Sequence, residues 1–338
     1  MTDAMTGIQV LPLEDDCGLR LALLDRGATW WSLQLPLPGE TTPRELLLGG
    51  ATPQAHLDNT AYFGATIGRV ANRIGGALIA RKGRVWPLVP QAGSRHQLHG
   101  GPDGFHRRRW FVESSSTRHA RFRLLSPDGD QGYPGALTAE VTVTLPGALV
   151  VDLELRATTS APTPVCLTNH AYFNLDGTPG DVRRHRLMLP AAHVLPVDEE
   201  LIPLGPLQTL AGTAFDFRRL RTIGTLASDG SVGDGVYDHA FLLDAAPGLH
   251  PAATLCAADG RVRLEMQTTL PALQLYTGAF LARERGRDAR ALPAHAGVAL
   301  EPQFLPDSPN HPEWPQPSCW LEPGQTWSHQ IRYAFATR

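Results

Sequence analysis

The stretch LTAEVTVTLPGALVVDLELRATT, residues 137–159, decides the fold class. Ala139, Val141, Val143 and Leu145 fall on one side of a two-residue period, and Glu140, Thr142 and Thr144 on the other. After Pro146-Gly147, Val151, Leu153 and Leu155 alternate with Asp152, Glu154 and Arg156. Successive strand side chains point to opposite faces, so such alternation fits a half-buried strand. Two such runs flanking Pro-Gly predict a hairpin turning at Pro146-Gly147. The C-terminus repeats the pattern: Trp327, His329, Ile331, Tyr333 and Phe335 share one side, and Ser328, Gln330 and Arg332 the other. GRVRLEMQTTL and ARFRLLS alternate too. Long helical periodicity is absent, and the best helix candidate is the short segment Ala55 to Tyr62. The 33 glycines and 29 prolines are scattered as turn punctuation. The expected fold is therefore all-β, a large antiparallel β-sandwich with few short helices. No linker, composition break or repeat interrupts the 338 residues, so one domain spanning 1–338 is expected.

A net charge of −3 gives no long-range attraction for nucleic acid or an anionic membrane. The run His106-Arg107-Arg108-Arg109 reads as a solvated turn rather than a phosphate site. Cys17, Cys166, Cys256 and Cys319 form no C-x-x-C pair and are too sparse for a disulfide framework, which suits a reducing compartment. MTDAMTGIQVLPLEDD lacks the basic and apolar regions of a secretory leader, and no stretch reaches a membrane span. A cytoplasmic protein is expected.

Several familiar motifs fail. GATIGRVANRIGG has neither the spacing nor the context of a dinucleotide loop. SDGSVGDG and SPDGDQG lack the closing acid of a calcium loop and read as turns. Neither G-x-S-x-G nor H-E-x-x-H occurs. What remains is a set of polar residues in apolar, turn-flanked settings: Asn72 and Arg73 in IGRVANRIGG, His99 in HQLHGGPDGF, His170 in LTNHAYFNLDG, Asp238 in VYDHAFLL, Gln274 in ALQLYTG and Glu301 in GVALEPQFLPD. Each has an ordinary explanation as an ion pair, a turn cap or a satisfied core group. Glu301 has the weakest one, because a carboxylate closing an apolar run is costly to bury without a partner or a task. Spacing alone does not unite the six segments.

Taken in order, FGATIGRVANRI, QLHGGPDGFHRRRW, DQGYPG, LTNHAYFNLDG, HVLPVDEELIPLG, GTAFDFR, YDHAF, LQLYTGAFL and LEPQFLPDSPNHP resemble the signatures of the aldose 1-epimerases (galactose mutarotases) from about Gly18 to Tyr333. The resemblance implies the galactose mutarotase-like β-sandwich and a cofactor-independent, metal-free isomerase. By it, His170 corresponds to the general acid and Glu301 to the general base. Asn72, Arg73, His99, Asp238 and Gln274 correspond to sugar-binding positions, and Tyr172 lines the pocket. The family often carries an amide after the Asp-His pair, where this sequence has Ala240.

The chemistry explains those residue types. Exchanging α and β anomers requires a proton to leave the C1 hydroxyl and another to reach the ring oxygen, so one base and one acid suffice. Ring hydroxyls need mixed donors and acceptors, which Arg73, Asn72, Asp238 and Gln274 supply. Nearby carboxylates are expected to hold His170 as imidazolium. The expected partner is a free hexose such as galactose or glucose, with no nucleic acid or membrane, and the chain acts as a monomer or homodimer. Competing readings are a hexose-6-phosphate 1-epimerase, with the basic run as phosphate site, and a non-catalytic carbohydrate-binding protein. A glycosidase would want two carboxylates across the sugar.

Overall fold

A computed structural model describes residues 7–226, 232–244 and 246–338. The first six residues of the leader reading and part of SDGSVGDG lie outside the described residues. Strands account for 44% of the chain and helix for 7%.

The deciding stretch forms the antiparallel strands Leu137–Gly147 and Val150–Thr159, with Val141 opposite Leu155 and Val143 opposite Leu153. The turn falls two residues later than expected. Gly147 pairs with Val150, so Ala148 and Leu149 make the bend, with φ of 55° and 60°. Positive φ at both central residues matches the right-handed twist of the flanking strands, which a turn at Pro146 could not do. Leu149 tolerates this conformation because three contacts hold it. Its N–H donates to the Asp15 carboxylate at 3.1 Å, its carbonyl accepts from Phe335 at 3.0 Å, and its side chain packs on the core.

This hairpin sits inside a nine-stranded sheet ordered Phe111–Ser115, His119–Ser126, Leu137–Gly147, Val150–Thr159, Trp327–Thr337, Val262–Thr268, His250–Cys256, Arg186–Met188, Arg221–Thr222. Val141, Leu153, Leu264, Met266, Ile331 and Tyr333 are buried on its inner face. Its outer face carries cross-strand ion pairs such as Arg332–Asp152 at 2.7 Å and Arg121–Glu140 at 2.8 Å. A six-stranded sheet packs opposite, ordered Tyr172–Phe173, Val298–Gln303, Ala272–Tyr276, Asp238–Leu243, Ala191–Val194, Gln208–Thr209. A four-stranded sheet holds Val10–Glu14, Arg20–Leu24, Thr29–Leu35 and Arg44–Glu45. Tyr333 joins the three layers, its ring 4.9 Å from Trp30 and 5.9 Å from Phe173. This is the expected antiparallel sandwich.

The six-stranded sheet has two different faces. Phe173, Phe241, Leu273, Leu275, Val298 and Leu300 belong to the main core between the sheets. The alternate positions turn away from it. Tyr172 and Ala299 join a second apolar cluster, and Ala240 and Ala272 a third. The polar side chains of these strands stand between the two small clusters.

The helix departs from expectation. It covers only Pro53–Leu57, with Thr52 capping it by accepting from the Ala55 N–H at 3.1 Å. Proline at the first position fits a start there rather than at Ala55. The chain then leaves the helix at Asp58 and reaches Tyr62 with φ of 61°, a left-handed conformation that no helix admits. Arg69, not singled out in the sequence, is 2% exposed and anchors the following segment. Its guanidinium donates to Ser126, Pro127, Pro134 and Thr163. Burial pulls it down to about 10, and carboxylates of the 128–130 turn oppose the shift.

Candidate active site

Strand register assembles half of the site. Glu301 lies directly opposite Gln274, and Tyr276 lies opposite both Asp238 and Ala299. Because side chains alternate, these pairings put Glu301, Gln274, Tyr276 and Asp238 on the face turned away from the main core. Gln274 donates to the Asp238 carboxylate at 2.6 Å. Ala240 pairs with Gln274, is 1% exposed, and forms apolar floor beside it.

His170 sits where the chain crosses between sheets. Thr168–Asn169 pairs with Thr66–Ile67, and Tyr172–Phe173 pairs with Val298 and Ala299. Between them, the His170 N–H donates to Ala65 at 2.9 Å and its carbonyl accepts from Gly64 at 2.9 Å. The Asn169 amide locks the same bend, donating to the Gly64 carbonyl at 2.8 Å and accepting from Ala171 at 3.0 Å. The outcome is a His170 Nε2 to Glu301 Oε1 separation of 3.5 Å, with both side chains at most 5% exposed. Among the described residues Glu301 Oε2 has no hydrogen-bond partner, and His170 Nδ1 has none outside its own backbone.

Two glycine-rich loops supply the remaining groups. Asn72 and His99 both adopt positive φ, 64° and 53°. The Asn72 N–H donates to His99 Nδ1 at 3.2 Å, and the His99 N–H donates to the Asn72 carbonyl at 3.0 Å. A ring nitrogen that accepts leaves the proton on the other, so neutral His99 carries its hydrogen on Nε2. Gly100, with φ of 82°, permits this approach, since a Cβ there would lie 1.9 Å from the Gly68 carbonyl oxygen. Asn72, Arg73, His99, His170, Tyr172, Asp238 and Glu301 line one cavity of about 330 Å³. Gln274 reaches the site through Asp238.

The electrostatics overturn one expectation. Burial takes His170 down to about 3, rather than nearby carboxylates holding it as imidazolium. Burial and the negative charge of Asp238 push Glu301 well above the usual carboxylate range, with Arg73 opposing. Burial also raises Asp238, against Arg73 and Gln274. Burial thus favours neutral imidazole on His170 and the protonated acid on Glu301, so the pair tends to share one proton rather than stand as a fixed ion pair.

The family model for aldose 1-epimerase matches residues 9–334. The chain belongs to the aldose 1-epimerase family. It is 45% identical over 330 residues to the aldose 1-epimerase of Escherichia coli K12, covering 97% of this chain and 95% of that one. It is 36% identical over 332 residues to the galactose mutarotase of Homo sapiens, covering 97% and 94%. A crystal structure of a GalM/aldose epimerase homologue from C. elegans superposes with a TM-score of 0.89 at 28% identity, covering 98% and 99%. As a member of the aldose 1-epimerases the chain is an isomerase.

Some residues of this epimerase-family site were not singled out in the sequence. Tyr62, Tyr276, Phe280, Arg283 and Glu284 also line the cavity. The basic run divides: Arg108 pairs with Asp130 at 3.2 Å and Arg109 with Asp25 at 2.7 Å. His106 is not solvated as expected; its ring packs 4.7 Å from Tyr62 and burial takes it down to about 4. Among the described residues, His99, His170 and Glu301 are the group whose ligand atoms cluster within 4.8 Å, as a metal would require. The His99 tautomer argues against such use, since its Nε2 presents a proton rather than a lone pair. Exhaustive chelation and dialysis should therefore leave turnover unchanged; activity lost on chelation and restored by one specific metal would contradict this.

Proposed function

We propose that this chain interconverts the α and β anomers of free hexoses such as galactose and glucose, with Glu301 as base and His170 as acid. The observation that carries the reading is the 3.5 Å His170–Glu301 pair, buried beneath a cavity lined with groups suited to sugar hydroxyls. We also read residues 1–338 as one domain, which fits a family match spanning nearly all of it.

In the forward step, Glu301 takes the C1 hydroxyl proton as the bond from C1 to the ring oxygen breaks, and His170 delivers a proton to that oxygen. The aldehyde turns about C1–C2, and reclosure returns both protons from the opposite face. The closed ring needs carboxylate and imidazolium. The open chain leaves carboxylic acid and neutral imidazole, the distribution that burial favours. Desolvation of the ion pair thus pushes in the direction of ring opening. His99, with its proton on Nε2, adds a donor.

Polarimetry of fresh α-galactose and α-glucose, with and without protein, tests the reading. Decay no faster than the spontaneous rate for either sugar would refute it. Running glucose 6-phosphate alongside tests the phosphorylated alternative, which Arg108 and Arg109, already in ion pairs, do little to support.

The sugar-binding roles carry their own expectation. Among the described residues the Arg73 guanidinium makes no ion pair within 4 Å, so its donors are open to substrate. Arg73→Ala and Asp238→Ala should each lower kcat/KM, by roughly 1.5–3 kcal/mol for a charged hydrogen bond. A change under about twofold, ~0.4 kcal/mol, in both variants would assign these residues to structure alone.

A further inference from the structure

Tyr62 is the common wall between the sugar cavity and a neighbouring cavity of about 560 Å³ lined by His106, Arg107, Gln91 and Thr29. Its ring touches three imidazoles. His170 lies 5.7 Å away at 27°, close to parallel, and His99 and His106 each lie 4.7 Å away, edge-on at 63° and 74°. Tyr172 lies 5.0 Å from His170 at 32°. His170 thus packs against two tyrosine rings, inclined to its own plane by 27° and 32°. The turn carrying Tyr62 is tied to the same histidine, for Gly64 and Ala65 make the two backbone hydrogen bonds to His170. Tyr62 itself is held at a φ of 61°. A left-handed conformation of this kind persists only where the surroundings over-determine it.

Resting on the proton-transfer role proposed for His170, we propose that the Tyr62 ring is a positioning residue. It fixes the planes of His170 and His99 so that each Nε2 faces the sugar, and it does so as an aromatic surface, not through its hydroxyl. Apart from its own backbone, His170 Nδ1 has no hydrogen-bond partner among the described residues, so its ring orientation falls to its packing neighbours. Packing against the Tyr62 and Tyr172 rings supplies an anchor, and a ring face also attracts the imidazolium that forms when His170 takes its proton. The imidazole of His106 packs edge-on against the Tyr62 ring and supports it.

The experiment uses Tyr62→Phe, Tyr62→Leu and His106→Ala in the full chain, assayed polarimetrically across pH. Tyr62→Phe should keep kcat within about twofold, because the stacking surface survives. Tyr62→Leu should lower kcat by ~10–10²-fold, the cost of a misplaced reacting group, with KM moving less than about threefold. Its acid limb should shift upward in pH as water reaches the face of His170. His106→Ala should move kcat and the acid limb in the same directions by less, and it decides the case if Tyr62→Leu does not fold. Equal loss in Tyr62→Phe and Tyr62→Leu would overturn the proposal in favour of a hydroxyl acting on substrate. An unmoved kcat and pH profile in the folded variants would remove Tyr62 from the site's workings. A wild-type chain without mutarotase activity would instead fail the reaction assigned above, so the two failures are distinguishable.

Discussion

Glu301→Gln and His170→Asn are each expected to lower the mutarotation rate by roughly 10²–10⁴-fold, about 3–5 kcal/mol of barrier, with the fold intact. Glutamine keeps the shape of Glu301 but cannot accept the C1 hydroxyl proton. Asparagine can donate a hydrogen bond but cannot release a proton to the ring oxygen. Both replacements are neutral, so neither leaves an unpaired charge where 2–5% exposure makes charge costly. The two groups act in one step, so the double variant should be far less than multiplicatively worse. The pH profile follows from the shared proton. The acid limb, where the pair gains a second proton, should lie below the ordinary imidazole value of 6.5, because burial takes His170 down to about 3. The alkaline limb, where the pair loses its only proton, should lie above the ordinary carboxylate range, because burial raises Glu301. A folded His170→Asn protein with near-wild-type polarimetric rates would remove His170 from the mechanism and make His99 the next candidate acid.

The second large effect is loss of stability in mild acid. Burial holds His56 and His170 down to about 3 and His106 and His329 to about 4. His56 shows why. Its Nδ1 accepts from Gly50 at 3.2 Å and its Nε2 bonds the Phe63 carbonyl at 2.8 Å, so a second proton has no acceptor. A histidine with a depressed folded value gives stability that is complete above the unfolded value of 6.5 and lost as pH falls toward 3–4, because the unfolded chain binds the proton first. Each such group costs about 1.4 kcal/mol per pH unit in that window. Glu301 and Asp238, raised by burial, act in the opposite sense over the same range. Burial lowers His99, His185 and His239 as well, so the lowered histidines outnumber the two raised carboxylates and unfolding takes up protons on balance. Against a typical total of roughly 5–15 kcal/mol, urea midpoints should fall steeply between pH 6.5 and 5. A flat midpoint over that interval would show that these histidines are hydrated in the folded chain.

Alternation made the sandwich legible, because a period of two is written directly into strands such as Trp327–Thr337. The hairpin bend was misplaced by two residues, since the tie between Leu149 and Asp15 joins positions 134 residues apart in the chain. The segment read as helix through Tyr62 hid a site residue. Nothing local in DNTAYFG announces a left-handed tyrosine whose conformation is fixed by His99, His106 and His170. Asn72, Arg73, His99, His170, Asp238, Gln274 and Glu301 were found through ordered motifs, and the fold does bring them together. Their protonation was not legible, since it depends on how completely two sheets and two loops shut out water.

The two-faced six-stranded sheet has a consequence for how such a protein changes over generations. Odd and even positions of Asp238–Leu243, Ala272–Tyr276 and Val298–Gln303 answer to different masters: one row to cohesion, the other to turnover. Deleting a single residue in Asp238–Leu243 or Val298–Gln303 exchanges the rows, burying carboxylate in the main core and turning leucine toward the sugar. The polar row is itself an expense to the fold, with Glu301 Oε2 and Gln274 Oε1 lacking partners among the described residues and His170 Nδ1 lacking one outside its own backbone. A lineage released from the need to turn over sugar would gain stability by replacing them with apolar residues. The cavity stays polar against the thermodynamic slope of its own scaffold, held there only by selection for the reaction.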